Sequence, residues 1–346
     1  MGETLAAISS KDVRAQRQVD ALLEQEGVRR DGNLDYTCGL FDDNWRLVAT
    51  GSCFGSTIRC LAVSSDRQGE GLLNQIVTHL MAVQAERGNT HLFLYTKPKS
   101  AKFFGGLGFY EIARAENSLV FMENRRRGFS DYCAALEKTC REGTSAAIVM
   151  NANPFTLGHL HLVERAAAEN AAVHLFVLSE EAGPIPFDVR KRLVEAGIAH
   201  LPNVVCHDSG PYIISSATFP SYFLKDEDTV IRTHAALDLE VFGKIAPRLN
   251  IARRYVGEEK ASHVTALYNE IMAARLPELG VECRVIPRLE AEGKPVSASM
   301  VRQAIHDRQL EDIRSLVPES TWSYFNSRSA QPVIEAIRRE TNVIHY

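Results

Sequence analysis

The sequence predicts an α/β protein of two domains, a mixed α+β domain first and a doubly wound parallel sheet second. Three observations carry this. At 346 residues, two domains are the natural expectation. Ala146–Ala168, AAIVMNANPFTLGHLHLVERAAA, reads as strand, loop and helix, and a second apolar run follows at Val173–Leu178; a crossover between parallel strands of this kind is right-handed. Ahead of it, Tyr36–Phe41, Trp45–Cys53 and Ile58–Val63 follow one another as short runs with no helix between them.

Taken in order, Lys11–Glu26 reads as a helix stopped by Gly27. The first two of those strands are joined through Asp42-Asp43-Asn44. After Ile58–Val63 comes Ser64–Gly71, then a helix from Leu72 to about Glu86 with Leu73, Ile76, Val77 and Leu80 as its apolar stripe. Gln68, Gly69 and Gly71 place glycines just before a helix, as a phosphate-cradling loop does. Leu92–Tyr95 is a strand, Ala101–Leu107 a short helix, and Gly108-Phe109 opens the next strand. Asn124–Glu142 reads as the joint, where Arg125-Arg126-Arg127-Gly128 breaks the pattern and Tyr132–Thr139 forms a connecting helix. The expected division is therefore residues 1–125, a connecting segment 126–142, and residues 143–346.

In the second half, Ala146–Met150 is a buried strand and Asn151–Leu157 a turn-rich loop. From Gly158 on, Leu160, Val163 and Ala167 recur at helical spacing with Glu164 and Arg165 on the wet side. Free backbone N–H groups and the positive end of the helix dipole make this junction an anion site. Gly158 is expected to let a phosphate approach, and His159 to donate to it; a βα turn with a surface histidine is the plainer alternative. Gly183–Phe187 is a Pro-rich loop and Asp188–Leu201 a helix, with Arg190 expected in a structural salt bridge or, second, near the phosphates. Val204–His207 is a strand. Tyr212–Lys225 lacks a clear period and reads as a pocket-lining loop. Arg254–Val256 is a strand ending in Gly257-Glu258, where ligands sit in a doubly wound sheet. Cys283–Pro287 is another strand. A helix Met300–Arg308 is expected with Ser299 as its cap and Arg302 in its first turn.

Bulk properties exclude several classes. Lys and Arg number 39 against 43 Asp and Glu, a formal net charge of −4, which argues against a nucleic-acid surface. No apolar run is long enough to span a membrane. The N-terminal residues lack a basic start followed by an apolar core, so no signal peptide is read there. Seven scattered cysteines, with no C-x-x-C pair, suit reduced thiols in a cytoplasm.

Two resemblances sharpen the expectation. Gln68-x-x-Gly71 before a helix, with Phe103-Phe104-Gly105-Gly106-Leu107-Gly108-Phe109 later, resembles the acetyltransferase (GNAT) fold; Leu73 stands where that family's loop ends in Gly or Ala. Thr156-Leu157-Gly158-His159 looks like the (H/T)-x-G-H signature of the Rossmann-like nucleotidyltransferase superfamily, and Ser299-Met300-Val301-Arg302 follows its S-[ST]-x-x-R step. The longer string Met150–His159 resembles the citrate lyase ligase family, as do Val264–Asn269 and the S-x-A-T-F-P-x-Y-F segment that holds Ser216, Thr218, Phe219 and Tyr222.

The resemblance implies a GNAT-like α+β domain followed by a nucleotidyltransferase domain that uses ATP. It implies His159, Arg302 and Thr156 in catalysis, and Asn153, Gly158, Gly257, Glu258 and Ser299 around the nucleotide. Ser216, Thr218, Phe219, Tyr222 and Lys225 would meet the small carboxylate or the incoming thiol, and Gln68, Gly69 and Gly71 a CoA-like arm. Magnesium would ride on the ATP phosphates, since no metal-ligand cluster is visible. Acetate would form acetyl-adenylate, and the thiol on the acyl-carrier subunit of citrate lyase would take the acetyl group. An acetyl-CoA-dependent acetyltransferase and a non-catalytic adapter for a CoA-like arm remain the alternatives.

Overall fold

The computed structural model describes all residues except 1, 116–117, 182, 214–218, 220–225, 260–262, 292 and 342–346. The chain forms two compact units, residues 1–130 with 220–233, and residues 131–219 with 234–346.

The first unit contains β1 (Thr4–Ala7), α1 (Val13–Gln25), β2 (Tyr36–Phe41), β3 (Leu47–Phe54), β4 (Thr57–Val63), α2 (Leu72–Glu86), β5 (Phe93–Thr96), α3 (Pro98–Gly106), β6 (Tyr110–Ala115) and β7 (Leu119–Glu123). Its sheet runs β1-β2-β3-β4-β5-β7-β6 and is antiparallel except between β4 and β5. Alternation along the strands feeds two cores. Cys38, Leu40, Val48 and Ile58 pack with Ile76, Val77 and Leu80 of α2. Phe41, Leu47, Cys60 and Ala62 pack with Val19, Leu22 and Leu23 of α1. The stripe of α2 begins at Leu72, which is buried; Leu73, expected in the stripe, is half-buried. Position 72 lies four residues before Ile76, on the same face, and position 73 is turned by one residue.

β4 and β5 pair only at Thr57–Phe93 and Ile58–Leu94. Just beyond, the β3–β4 register slips between Thr50–Ala62 and Ser52–Arg59, and Cys60 sits at φ 51. A bulge of this kind bends its strand, and here β4 leaves β5. A cavity of about 640 Å³ opens along the parted strands, lined by Leu61 and Val63 on one side and Tyr95 and Thr96 on the other.

The connecting helix α4 spans Gly128–Glu137. The second unit then runs β8 (Ser145–Met150), α5 (Leu157–Glu169), β9 (Ala172–Val177), α6 (Phe187–Gly197), β10 (Val204–Asp208), α7 (Glu227–Ile245) from His234 on, β11 (Ile251–Gly257), α8 (His263–Arg275), β12 (Glu282–Ile286), the short pair β13 (Glu290–Ala291) and β14 (Lys294–Pro295), α9 (Ala298–His306), α10 (Glu319–Phe325) and α11 (Gln331–Arg339). The five-stranded sheet is parallel, in the order β10-β9-β8-β11-β12. Its core joins Ile148, Val163, Leu175, Val194, Val301 and Ile337. One strand pair also buries two histidines. Nδ1 of His174 lies 2.9 Å from Nε2 of His207, and burial pushes both down to about 4.

Winding reverses between β8 and β11, which makes their carboxyl ends the switch point of the doubly wound sheet. Val177 is level with Met150, and Ile286 with Gly257. Ala147 pairs with Arg254, and continuing that register sets Met150 level with Gly257. The loops after these four strand ends build the site.

Candidate functional site

Thr156 caps α5. Its backbone is extended (φ −118, ψ 169), as an N-cap requires. Its Oγ1 accepts from the His159 amide at 3.3 Å, and its own amide donates to Nδ1 of His159 at 3.1 Å. This reciprocal pairing is a capping box with histidine in place of the usual Glu or Gln. A backbone N–H only donates, so Nδ1 accepts and the neutral ring carries its proton on Nε2. The residue is half-buried. Burial, first, and then the charges of Arg288 and Arg302 push the imidazole down to about 4. His159 is thus a neutral N–H donor at pH 7. Thr156 is buried and positions the histidine. Phe155 backs the ring at 5.9 Å, nearly parallel, and its carbonyl accepts from Oγ1 of Thr321 at 2.9 Å.

Gly158 also serves the packing of the helix start. A Cβ there would lie 2.8 Å from the carbonyl oxygen of Val296. The missing side chain lets the start of α5 touch the segment that leads into α9, so the close neighbour is protein backbone.

The cap of α9 is Ser297, whose Oγ accepts from the Met300 amide at 3.3 Å. The expected cap, Ser299, lies inside the first turn, and the helix starts at Ala298. Both serines can cap, and the extended backbone of Ser297 (φ −136, ψ 156) decides between them. Ser299 Oγ remains 3.4 Å from Ser297 Oγ.

Arg302 projects from α9 and is 5% exposed. Its Nη1 donates to the carbonyl of Asn153, tying α9 to the loop after β8. Burial pushes its guanidinium down to about 10, with Glu340 opposing, so it stays charged at pH 7. Asn153 is itself 3% exposed, and neither atom of its carboxamide has a hydrogen-bond partner among the described residues.

Gly257 ends β11 with open space where a side chain would stand. Its carbonyl accepts from Nδ2 of Asn269 on α8 at 3.1 Å. Glu258 continues the edge, its amide donating to Ile286 O at 2.8 Å. Arg190 is fully buried and makes no salt bridge among the described residues. It donates to the carbonyls of Ile185, Asn151, Leu178 and Glu180 and to Oδ1 of Asn151. It therefore braces the loops after β8 and β9, where a salt bridge was expected. Burial pushes the neighbouring Glu180 up to about 7, with Arg190 opposing.

Phe219 is buried and stacks on His234 at 4.8 Å; His234 meets Tyr268. Tyr268 Oη donates to Asp238 at 2.7 Å, and the same carboxylate pairs with Arg254. Ser216, Thr218, Tyr222 and Lys225 lie outside the described residues. Gln68, Gly69 and Gly71 belong to the first unit, where they line the cavity between β4 and β5.

The sequence reading missed one charged group. Arg288, just past β12, donates from Nε to the Glu258 carbonyl at 2.7 Å and pairs with Glu259. Its charge acts on His159. A cation directly after a strand at the switch-point edge is a signal the sequence carries, in the same relative place as Gly257-Glu258. No helix among the described residues is long and apolar enough to cross a membrane.

Comparison with known proteins bears on this site directly. The model of the citrate lyase ligase C-terminal domain matches residues 145–325. The citrate (pro-3S)-lyase ligase of Klebsiella pneumoniae is 38% identical over 320 residues, covering 91% of this chain and 93% of that one. The enzyme of the same name from Haemophilus influenzae is 34% identical, covering 88% and 93%. Among solved structures, a putative nicotinate-nucleotide adenylyltransferase of Vibrio parahaemolyticus is similar at 17% identity and TM-score 0.35, covering 58% of this chain and 98% of that one. With relatives this similar over nearly the whole length, and with the matched domain holding the Thr156–His159 cap and Arg302, the chain belongs to the citrate lyase ligase family.

Proposed function

We propose that the second unit uses ATP and acetate to make acetyl-adenylate, and that the acetyl group then passes to the thiol of the prosthetic group on the citrate lyase acyl-carrier subunit. The observation that carries this is the meeting of α5 and α9 at the switch point. There the amides of two helix starts, the Nε2–H of His159 and the guanidinium of Arg302 are held by Thr156, Val296 and Asn153. Such preorganised donors favour a reaction in which negative charge builds on phosphate oxygens.

In the first step a carboxylate oxygen of acetate attacks the α-phosphorus, and the bond to the bridging oxygen breaks to release pyrophosphate. Acetate is already an anion, so no base is needed. His159 donates without losing a formal charge, and Arg302 balances the leaving group. In the second step the thiol sulfur attacks the acetyl carbon; a thioester forms, AMP leaves and the thiol proton is released. Among the described residues no group of three His, Cys, Asp or Glu is placed to hold a metal. Magnesium would be held mainly by phosphate oxygens and water, neutralising charge there. Gly257 leaves room for adenine or ribose beside the Glu258 edge. The unpartnered carboxamide of Asn153 offers a donor and an acceptor to a bound polar group; without one it costs about 1–3 kcal/mol.

The division of labour belongs to the same reading. Residues 143–346 make the adenylate, and residues 1–125 hold the CoA-like arm in the cavity where β4 leaves β5. That cavity is also the feature that favours the second reading, an acetyl-CoA-dependent acetyltransferase. Acetate-dependent exchange of pyrophosphate into ATP separates the two. The ligase reading requires exchange without any thiol, whereas a transferase acetylates from acetyl-CoA and shows none.

A further inference from the structure

We propose that Arg288 is a third phosphate-binding residue of this site, brought to the start of α5 by the β13–β14 hairpin. The inference rests on the reading of the site as an ATP site. The sequence places Arg288 far from His159, two strands across the sheet, roughly 10 Å at ordinary strand spacing. The hairpin closes that gap. Leu289, next to Arg288, accepts at its carbonyl from the Val296 amide at 2.8 Å. Val296 in turn touches Gly158, where a Cβ would stand 2.8 Å from its oxygen, and Gly158 precedes His159. Arg288 is thus one hydrogen bond and one backbone contact from the amides that open α5.

Its own contacts aim it there. Nε is fixed by the Glu258 carbonyl at 2.7 Å, which turns the guanidinium back over the end of β11, next to β8. Nη2 is paired with Glu259. Nη1 has no protein partner among the described residues, and the side chain is 32% exposed. A planar guanidinium with one edge anchored and one nitrogen free suits a phosphate oxygen. With Arg302 held at the Asn153 carbonyl in the loop before α5, the site would have two fixed cations beside the neutral Nε2–H of His159. The competing role is a brace that merely shapes the Glu258-Glu259 turn.

Binding to the full-length chain separates the two roles. Inorganic pyrophosphate, ATP and AMP are titrated by calorimetry against the wild-type chain, Arg288→Gln and Arg288→Lys. Gln keeps a donor for the Glu258 carbonyl and removes the charge. A phosphate ligand predicts that Arg288→Gln weakens pyrophosphate and ATP by about tenfold or more, AMP by much less, with partial rescue in Arg288→Lys. NMR titration of the histidines supplies an independent reading, because His159 should titrate at higher pH once the Arg288 charge is gone. Unchanged pyrophosphate and ATP affinity overturns the proposal. So does an equal loss of AMP and pyrophosphate, which is the mark of the brace. If Arg288→Gln does not fold, Arg288→Lys decides: a phosphate contact predicts weakened pyrophosphate and ATP with AMP little changed, whereas a brace predicts that all three affinities change together or not at all. A wild-type chain that binds ATP yet shows no acetate-dependent exchange defeats the ligase reading and leaves this test intact.

Discussion

The amide of Thr156 donates to Nδ1 of His159 at 3.1 Å, and the amide of His159 donates to Oγ1 of Thr156 at 3.3 Å. Two otherwise unpaired helix-start donors are satisfied at once, and the imidazole is locked in rotation and tautomer. The first position of the T-x-G-H string is therefore the residue that tells the last which nitrogen to present. Histidine at that first position would have to reach the same amide by another route.

Replacing His159 by Ala should lower acetyl-adenylate formation on the order of a hundredfold, by analogy with the loss of an oxyanion donor. Half of the capping box goes too, so stability should fall by about 1 kcal/mol. The two effects are read separately, by pyrophosphate exchange and by thermal melting. Wild-type exchange in His159→Ala would remove the residue from the mechanism.

Thr156→Val keeps the shape and deletes Oγ1. About 1 kcal/mol of helix capping should be lost, and turnover should drop less than in His159→Ala because the backbone amide still orients Nδ1. Thr156→Ser should retain both. Turnover in Thr156→Val at or below that of His159→Ala would show that the hydroxyl itself acts in the reaction.

Arg302→Lys preserves charge and loses the planar fork. ATP affinity should weaken clearly, and further in Arg302→Ala. The alanine variant also leaves the Asn153 carbonyl without its donor, a cost of about 1–3 kcal/mol. Nucleotide titration and melting of both variants check this. Equal ATP affinity in all three chains would make the arginine a tether only.

Acid should weaken the second unit through His174 and His207. Burial holds both folded rings neutral down to about 4, whereas unfolded histidine binds its proton near 6.5. Below that value the unfolded chain takes up more protons, so stability falls as pH drops from about 6.5 toward 4, on the order of 2 kcal/mol for each histidine at pH 5. Urea midpoints at pH 7.5 and pH 5 measure the drop, and His207→Phe should shrink it. An undiminished drop in that variant would place the acid sensitivity elsewhere.

Gln68→Glu with Ser100→Trp should charge and crowd the cavity of the first unit. Gly71 is a poorer probe, because its φ of +76 strains any side chain placed there. Acetate-dependent exchange should survive and acetyl transfer to the carrier should fall. Unchanged transfer would remove the cavity from arm binding.

Much of this was legible where a local pattern decides the outcome. The apolar run before Asn151 and the spacing after Gly158 fix strand, loop and helix, and the crossover rule gives the hand of the connection. Ser299 was misjudged because two serines two residues apart can both cap and only backbone angles choose. The packing role of Gly158 is hidden because its neighbour, Val296, is 138 residues away. Arg288 escaped for the same reason: its relation to His159 passes through a four-residue pairing, Glu290–Pro295 and Ala291–Lys294, that leaves almost no trace in composition. The closing helix α11 buries an ordinary apolar face at Val333, Ile334 and Ile337 and carries no motif to draw attention to it.

The touch between Gly158 and Val296 also sets an order of events during synthesis. A ribosome releases the β8–α5 segment long before the residues that fix its nucleotide-facing turn. A nascent chain that stops short of Val296 owns the T-x-G-H string yet has no surface against which to seat it. Nucleotide affinity should therefore arise late and abruptly as the chain lengthens, which makes ATP retention by stalled chains of increasing length a direct ruler of when this site comes into being.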